Sequence, residues 1–323
     1  MNILVPGGAS YIGALLVPQL LADGHYVTVY DTLLFGDGWL PKDNGHLEII
    51  KADVRNIHSW LDAVDGQDAV IYMASISREL LCQQNEALAQ EINVDSFTPA
   101  IEAARRSGVQ RFIYASSVAV YGSSNHDASE EEPLNPTTIY GHGKAACEKI
   151  MWQYQTDYFC CASVRSASVC GYSPRQRLDL TVNRMVHDAY RKGVITVEGG
   201  AQKRSHVHIR DLCDFYKLML SKRTDLIRGQ AFNVVQQNQT VLETATTVAR
   251  EMGGLGKIEI SMRPSVDNRS YSVDGSKAQD MLDFMPQRPI AEAVRDLKVR
   301  FEAGYWPDST TNPVYQNMVT SGL

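Results

Sequence analysis

A tyrosine and a lysine lie four residues apart in the segment "YGHGK", at Tyr140 and Lys144. Residues spaced i and i+4 lie on the same face of a helix. An ammonium beside a phenol favours the phenolate, which lowers the phenol pKa from about 10 towards the working range of a general base. We therefore predict Tyr140 as an acid/base group and Lys144 as its electrostatic partner.

A serine precedes this pair at a position where a strand should end. The segment "YASSVAVYG" follows the apolar run 111–115 and places Ser117 directly after it. Open α/β sheets hold their ligands at the carboxyl ends of strands. The Ser117 hydroxyl could therefore hydrogen-bond an alcohol or carbonyl that reacts with Tyr140.

The elements that must position these groups follow a regular alternation over the first 165 residues. Short β-branched runs alternate with longer amphipathic segments, a pattern typical of parallel strands joined by crossover helices. We predict an α/β fold: a Rossmann-type doubly wound parallel sheet with a smaller mixed α/β C-terminal substrate lobe. Strands covered on both faces should be almost continuously apolar, and those expected are Ile3–Val5, Val27–Tyr30, Leu47–Lys51, Ala69–Tyr72, Arg111–Ala115 and Cys161–Arg165.

Three helices are predicted between these strands. The first follows Gly13, is kinked by Pro18 and stops at Gly24. The second covers residues 86–106 and the third runs from Gly141 to about Tyr158. We expect these last two helices to form a subunit interface, although spacing alone does not separate an interface from a core.

The alternation fails after Arg165, where loops rich in proline and arginine interrupt shorter elements. We therefore expect residues 1–165 to form the cofactor-binding domain and residues 166–323 to form mainly a lobe that closes over the strand ends. A segment near residues 205–235 is expected to return to the first domain.

Composition excludes several classes of protein. The formal net charge of -6 gives no electrostatic footprint for nucleic acid, and the acidic run Glu130-Glu131-Glu132 is expected to be a solvated loop. The absence of a long apolar stretch and of a leader pattern predicts a cytoplasmic protein without a membrane span. The six cysteines show no CxxC spacing, which favours reduced thiols, and we expect no metal site.

A glycine-rich segment, "PGGASYIG", lies between the first predicted strand and the first helix. Gly7 should make the tight turn and Gly13 should let the helix pack closely on the strand, with a pyrophosphate at the helix N-terminus. Ser10 occupies the position between them that usually takes glycine. Its side chain should either crowd the pyrophosphate or donate a hydrogen bond to it.

A carboxylate at the end of the second strand indicates the cofactor. Asp31 can accept hydrogen bonds from both adenosine-ribose hydroxyls and would repel a 2′-phosphate, so NAD is favoured over NADP. Asp53 lies where it could reach the adenine amine, with a helix N-cap as the alternative. Lys144 should then also bind the nicotinamide ribose. Further contacts with NAD are expected from Tyr11, Ile12, Val54, Met73, Ala74 and Ser75.

These features occur together and in a defined order. The glycine loop and the two aspartates are followed by "SSVAVYG", "NPTTIYGHGK", "SPRQRLDL" and "RSHVHIRD". In this order they resemble the NAD-dependent epimerase/dehydratase family, a group of extended short-chain dehydrogenases, over residues 1 to about 300. The resemblance implies that Ser117, Tyr140 and Lys144 form a catalytic triad and that the protein is a homodimer.

The resemblance also implies a substrate. Family members bind a nucleoside diphosphate sugar in the variable C-terminal lobe, and Asn183, Arg204 and Arg269 match polar family positions there. Arginine suits a diphosphate because its planar fork binds phosphate oxygens in pairs. Ser117 should contact the sugar.

One departure from the family narrows the reaction. Family members that eliminate water carry an Asp-Glu pair directly after the catalytic hydroxyl residue, whereas this chain has Val118-Ala119. Without these acids a 4,6-dehydration lacks its proton donor and base. Ser168, Cys170 and Val235 also depart from the family pattern and should alter the sugar or base pocket.

Three functions remain open at this stage. The favoured one is an epimerase of polysaccharide biosynthesis that forms a bound 4-keto sugar and returns the hydride to the other face. The second is a 4-dehydrogenase or ketoreductase, because "SPRQRLDL" and "RSHVHIRD" also resemble a subgroup that includes GDP-heptose 4-dehydrogenases. The third is a non-catalytic NAD-binding regulator on the same fold. Cys82 is the one thiol suggestive of proton transfer, and a packing role suits it better.

Overall fold

The structure is a computed structural model, and it describes residues 1–254, 256–265 and 269–318. The strands in chain order are β1 (Asn2–Pro6), β2 (Tyr26–Asp31), β3 (Leu47–Lys51), β4 (Ala69–Tyr72), β5 (Arg111–Ser117), β6 (Asp127–Ala128), β7 (Cys160–Ser166), β8 (Ser168–Cys170), β9 (Val194–Glu198), β10 (Lys203–His208), β11 (Gln230–Val234), β12 (Gln237–Thr240), β13 (Glu259–Arg263) and β14 (Ser272–Val273).

The α-helices in chain order are α1 (Gly13–Ala22), α2 (Ile57–Val64), α3 (Glu79–Gln84), α4 (Glu86–Gln90), α5 (Phe97–Arg106), α6 (Ile139–Tyr154), α7 (Thr181–Lys192), α8 (Ile209–Ser221), α9 (Thr224–Ile227), α10 (Val241–Met252), α11 (Ser276–Leu282) and α12 (Ile290–Glu302). Short 3-10 turns span Val118–Tyr121 and Pro313–Gln316. Among the described residues, no helix is long and apolar enough to cross a bilayer.

The main sheet confirms the predicted fold class. In the described part of the chain it has seven parallel strands in the order β11-β7-β5-β4-β1-β2-β3. The order reverses between β1 and β4, because the chain first adds β2 and β3 on one side and then β4 and β5 on the other. Such a switch point opens a crevice at the carboxyl ends of the strands.

The predicted strands all form, but one prediction about them is wrong. The residues of β4 are all buried, as expected for a strand covered on both faces. In contrast, β3 has no fully buried residue, although we predicted it to be covered like the others. It is the edge strand of the sheet, so neighbours cover it less completely.

The core has two layers, one on each face of the sheet. On one face α1 and α8 pack through aliphatic side chains around Leu16, Leu20 and Leu212. On the other face aromatic rings interlock, with Tyr72 and Phe97 centroids 5.2 Å apart and nearly perpendicular. Edge-to-face pairs of this kind stabilise a core beyond the area they bury.

The segment 86–106 is not the single helix that we predicted. A π-helical turn at Glu91–Asp95 separates α4 from α5, and the backbone N–H of Ser96 donates to the carbonyl of Glu91. The inserted turn lets Asn93 bond the loop after β4: its side chain accepts from the N–H of Ile76 (2.7 Å) and donates to the Ile76 carbonyl (3.0 Å). The hydrogen bonds between Asn93 and Ile76 therefore favour a π-helical turn over the regular α-helix that the sequence pattern predicts.

Two other helix predictions need adjustment. We placed the third helix from Gly141 to about Tyr158, but α6 begins two residues earlier, where the Thr138 side chain accepts from the Gly141 N–H, and ends at Tyr154. Tyr158 lies beyond it and is 91% exposed. Helix α1 continues through Pro18 to Ala22.

The smaller lobe is built from the later elements. Helices α7, α10 and α12 pack against one another around Val186, Val248 and Leu297, and α7 and α10 also contact β9. A second sheet in the described residues has the order β12-β10-β8. Strand β11 pairs with β7 in the main sheet, so the chain returns there after building part of this lobe.

Candidate functional site

Two adjoining cavities open at the carboxyl ends of the central strands. The larger has a volume of about 380 Å³ and the smaller about 130 Å³. Ser10, Met73 and Ser75 line both, so the two cavities form one continuous cleft across the β1/β4 switch point. The predicted NAD contacts Gly7, Asp31, Asp53, Val54 and Ala74 line the smaller cavity, whereas Tyr11, Ile12, Ser117, Tyr140, Lys144 and Arg269 line the larger.

The glycine loop has the close backbone packing that its sequence predicts. Gly7 adopts a φ of +79°, and a Cβ on it would lie 2.8 Å from the backbone nitrogen of Ala74. A Cβ on Gly13 would lie 2.2 Å from the carbonyl oxygen of Gly8, so only glycine fits where α1 begins. The Ser10 hydroxyl accepts weakly from the Gly13 N–H at 3.4 Å and lies at the junction of the two cavities.

Asp31 ends β2 at the wall of the smaller cavity. Its two carboxylate oxygens accept hydrogen bonds from the backbone N–H groups of Ala9 (3.0 Å) and Leu33 (2.9 Å). Burial nevertheless raises the pKa of Asp31 above its ordinary value. Asp53 accepts from the side chain of Arg55 at 2.9 and 2.7 Å, so an ion pair occupies part of its bonding capacity.

The donor set of this cleft fits a dinucleotide. It offers a glycine turn at the N-terminus of α1 and a strand-end carboxylate at the position that binds ribose hydroxyls. Buried Arg175 adds a cation to the wall of the larger cavity. Gly7, Ser10 and Asp31 would hold NAD along the cleft, and Tyr140 and Lys144 would flank its nicotinamide end.

Ser117, Tyr140 and Lys144 converge on the larger cavity. Ser117 is the last residue of β5 and lines the same cavity as Tyr140, and its hydroxyl lowers the pKa of the Tyr140 phenol. The Lys144 ammonium lies 5.5 Å from the centre of the Tyr140 ring and donates to the carbonyl of Ala115 at 2.7 Å. The strand end and one face of α6 thus bring together three side chains that are up to 27 residues apart in sequence.

The electrostatics of this triad differ from our prediction. We expected Lys144 to lower the pKa of Tyr140, but burial dominates and raises that pKa to about 12. The groups that oppose the increase are the guanidinium of Arg177 and the hydroxyl of Ser117. Burial also lowers the pKa of Lys144 to about 8, because the charged ammonium is desolvated. Burial therefore shifts the pKa of each group towards its neutral form, although Lys144 remains mainly charged at neutral pH.

Two charged residues at this site were not predicted from the sequence. Glu79 accepts from the backbone N–H groups of Ile139 (3.2 Å) and Tyr140 (3.0 Å), so it caps the first turn of α6. Arg177 lines the larger cavity and is paired with Asp179 through two hydrogen bonds. The motif "SPRQRLDL" contained Arg177, but nothing in its spacing indicated that it approaches Tyr140.

The predicted diphosphate ligands Arg204 and Arg269 lie together. Arg269 lines the larger cavity beside Tyr271. The Arg204 guanidinium donates to the carbonyl of Arg269 and lies 4.6 Å from the centre of the Tyr271 ring. Arg204 therefore supports the wall that Arg269 and Tyr271 form.

Asn183 does not occupy the place that we predicted. Its side chain is completely buried, accepts from the Gly171 N–H (3.0 Å) and donates to the carbonyl of Arg177 (2.8 Å). It also contacts the phenol of Tyr11 at 3.2 Å. These internal hydrogen bonds give Asn183 a positioning role in the loop that carries Arg177, instead of a direct contact with substrate.

Cys82 packs beneath the site. Its thiol is buried and donates to the carbonyl of Ile76 at 3.5 Å. Burial raises the pKa of Cys82 to about 11, so the thiol form is favoured. This environment agrees with a packing cysteine.

Comparison with known proteins establishes the family. A model described as the NAD dependent epimerase/dehydratase family matches residues 3–234. The UDP-glucose 4-epimerase of Mycolicibacterium smegmatis (strain ATCC 700084 / mc(2)155) is 28% identical over 306 residues, which cover 91% of this chain and 96% of that protein.

Solved structures agree with this result. MoeE5 in complex with UDP-glucuronic acid and NAD is 25% identical with a TM-score of 0.82, covering 94% of this chain and 100% of that chain. DesIV, a dTDP-glucose 4,6-dehydratase from Streptomyces venezuelae with NAD and TYD bound, is 25% identical with a TM-score of 0.84, covering 95% of this chain and 99% of that chain.

The fold and the cleft define an NAD-dependent enzyme of the extended short-chain dehydrogenase type. This chain belongs to the NAD dependent epimerase/dehydratase family. The resemblance stated from the motifs is therefore confirmed, as is NAD as the cofactor.

Proposed function

We propose that this enzyme is a nucleotide-sugar 4-epimerase that acts through a bound 4-keto sugar. The observation that carries the proposal is the cavity wall: Ser117, Tyr140 and Lys144 meet there, while Val118 and Ala119 stand where a dehydratase needs two acids. The similarity to a UDP-glucose 4-epimerase over almost the whole chain supports the same reaction.

In the described part of the chain, one acidic residue lines the larger cavity, and it is already hydrogen-bonded. Glu79 lines the cavity, but both its carboxylate oxygens accept hydrogen bonds from the first turn of α6. Its two carboxylate oxygens are thus engaged in holding the first turn of α6. Oxidation and reduction at C4 need no further acid, since one phenol can remove and return the proton.

In this mechanism Tyr140 takes the proton of the sugar C4 hydroxyl at its phenolic oxygen, and the Ser117 hydroxyl orients that oxygen. NAD, which Gly7, Ser10 and Asp31 would hold, would supply the hydride acceptor for C4 and the donor for the return step. The Arg177 guanidinium favours the ionised phenol as the proton moves, and Lys144 would hold the nicotinamide ribose. Arg269 holds the diphosphate while the 4-keto sugar turns to present its other face.

The cavity volume is compatible with this turn. A volume of about 380 Å³ lies within the range of about 300–1,000 Å³ typical of small-molecule sites. Small side chains, Ala119 and Gly122, line its wall beside Ser117. A product that leaves as one C4 epimer, with NAD restored in each cycle, follows from such a site.

A direct assay tests the proposal. The purified protein is incubated with NAD and a panel of UDP-, GDP- and dTDP-sugars, and NADH absorbance is followed together with product stereochemistry by NMR. A new C4 epimer without net NADH is the expected result. Accumulating NADH or a released keto sugar would instead establish a 4-dehydrogenase. Tyr140→Phe serves as the control that assigns either activity to this site.

The oligomeric state remains a prediction. The homodimer expected from the family would use the segments 86–106 and 139–154, which form neighbouring helices in the structure. Sedimentation equilibrium measures the mass directly, and a monomer would contradict the prediction.

A further inference from the structure

A C-terminal segment, residues 313–318, crosses the boundary between the two cavities, and we call it the strap. Asn317 lines both the larger and the smaller cavity. Met318 packs beside the apolar cluster of Ile76, Leu81 and Cys82, close to Tyr140. The strap therefore lies over the cleft that fits the cofactor.

Polar contacts hold the strap in this position. The Leu178 N–H donates to the carbonyl of Tyr315 at 2.7 Å, and Arg78 donates to the carbonyl of Gln316. The guanidinium of Arg175 donates to the side-chain oxygen of Asn317 at 2.7 Å. None of the residues in the 3-10 turn Pro313–Gln316 is fully buried. A segment with so little buried apolar surface can open at a small free energy.

Arg175, the partner of Asn317, is an unusual cation. Its side chain is buried, with the residue only 2% exposed, and its guanidinium stacks 3.9 Å from the centre of the Phe35 ring. Within the described chain its Nε atom has no hydrogen-bond partner and its guanidinium forms no ion pair. Burial lowers the pKa of Arg175 to about 9, because the charge is desolvated. Asp179 and Asp31 oppose this decrease in pKa, but neither forms a salt bridge with Arg175 in the described residues. A buried cation with no carboxylate in direct contact can bind an anion.

The surroundings of Arg175 indicate which anion it binds. It lines the larger cavity together with Ser10, Tyr11 and Ile12 of the glycine loop, where the pyrophosphate of a dinucleotide belongs. Its stacking partner Phe35 also lines the smaller cavity, which contains Asp31. Arg175 is thus placed at the middle of the cleft, whereas Arg269 lies at the wall beside Tyr271.

We propose that Arg175 binds the pyrophosphate of the dinucleotide cofactor and that the strap, through Asn317, holds Arg175 in place and slows cofactor release. Arg175 then supplies a charged contact beside a glycine loop that carries Ser10 where glycine is usual. The planar guanidinium can bond the cofactor and Asn317 at the same time, since its five donors point in different directions. This inference rests on the family and its cofactor and is independent of epimerisation.

Cofactor binding tests the role of Arg175 without any turnover. Arg175→Met keeps an unbranched side chain but removes the charge, and we expect NAD affinity by calorimetry to fall by about tenfold to a hundredfold, the effect of losing charged hydrogen bonds. UDP and GDP binding to the NAD-saturated variant should be unchanged. The melting temperature of the cofactor-free protein should not fall, because a buried cation is replaced by an apolar side chain.

The strap is tested by the rate at which bound NAD exchanges with labelled NAD. Asn317→Ala should speed this exchange by about tenfold, as expected for one hydrogen bond to a charged group. Gln316→Ala is the matched control, since it alters the same segment but keeps the carbonyl that accepts from Arg78 and the Asn317 contact. Its exchange rate should equal that of the parent protein.

Three results would contradict the proposal. Unchanged NAD affinity in Arg175→Met would show that the cation does not bind the cofactor. Weaker UDP or GDP binding with unchanged NAD affinity would assign Arg175 to the diphosphate of the substrate. Equal exchange rates in Asn317→Ala and Gln316→Ala would remove the strap from cofactor release.

Discussion

The two sides of the cleft place their polar groups by different means. On the sheet side, backbone N–H groups hold the carboxylates in place. Those of Ala9 and Leu33 donate to Asp31, and those of the first turn of α6 donate to Glu79. On the C-terminal side cations are held by aromatic rings, with Arg175 on Phe35 and the Arg204 guanidinium 4.6 Å from the Tyr271 ring.

The difference has a physical consequence. Groups fixed by strand ends and helix starts move only if the sheet moves, whereas a stacked arginine depends on a loop that can vary without loss of the core. Asp31 and the proton-transfer group Tyr140 therefore lie on the frame of the fold. The arginines proposed to bind diphosphate groups, Arg175 for the cofactor and Arg269 for the substrate, lie on the part that can change.

The largest effect should come from the sheet side. Tyr140→Phe keeps the ring and its packing but removes the group that exchanges the proton, so we expect kcat to fall by about 10²–10⁴-fold. Binding of NAD should be retained, because the cleft remains intact. Steady-state assays with calorimetry of NAD binding check both expectations, and a variant with near-normal kcat would move proton transfer to another group.

A buried ion pair joins α6 to the main sheet, and its loss should destabilise the fold. Arg165 in β7 contacts Glu148 of α6 through three hydrogen bonds, and both side chains are almost fully buried. Glu148→Gln leaves a buried cation without its counter-charge, so we expect the free energy of unfolding to fall by about 3–5 kcal/mol.

Urea unfolding measures this loss. The matched control is Glu102→Gln, which breaks the exposed pair with Arg106 and should change stability by less than about 1 kcal/mol. Similar losses in both variants would mean that α6 and β7 do not depend on the buried pair.

A smaller effect is expected when a cation of the C-terminal side is removed. Arg269→Met should raise the KM for the nucleotide sugar by about tenfold to a hundredfold, since a charged contact with the diphosphate is lost. The effect on kcat should be small, because the residue is remote from the C4 hydroxyl. A change in kcat alone would place Arg269 next to the reacting atoms. It would then contradict the division between catalysis on the sheet side and substrate binding on the C-terminal side.

The smallest expected effect concerns Arg177, a cation of the C-terminal side that acts on Tyr140. Arg177 lowers the pKa of Tyr140, so Arg177→Met should raise that pKa and move the acid limb of the kcat/KM profile to higher pH. A shift of about one pH unit corresponds to about a tenfold lower rate at pH 7. The lost activity should therefore be recovered at high pH, whereas a merely structural loss would lower the rate equally at all pH values.

Regular patterns in the sequence predicted the sheet side well. Apolar runs identified the six strands, and glycine spacing located the turn at Gly7, because both reflect local backbone requirements. The catalytic pair was visible for the same reason, since i and i+4 spacing on a helix is a local property.

The environment of these residues could not be predicted in the same way. The raised pKa of Tyr140 comes from burial by distant parts of the chain, and the approach of Arg177 depends on a loop without regular geometry. Glu130 is a further case: we expected a solvated loop, but its carboxylate accepts from the Asn233 N–H at 2.6 Å. The partner lies 103 residues away, beyond any local pattern.

The π-helical turn at Glu91–Asp95 has a consequence for how this chain can vary in length. A residue removed from a surface loop changes little, but one removed from this turn would rotate all of α5 by about 100° relative to α4. Asn93 would then swing away from Ile76, and the apolar face of α5 would leave the sheet. We therefore expect deletions in this turn to be poorly tolerated, because they would break both the Asn93 contact and the packing of α5 on the sheet.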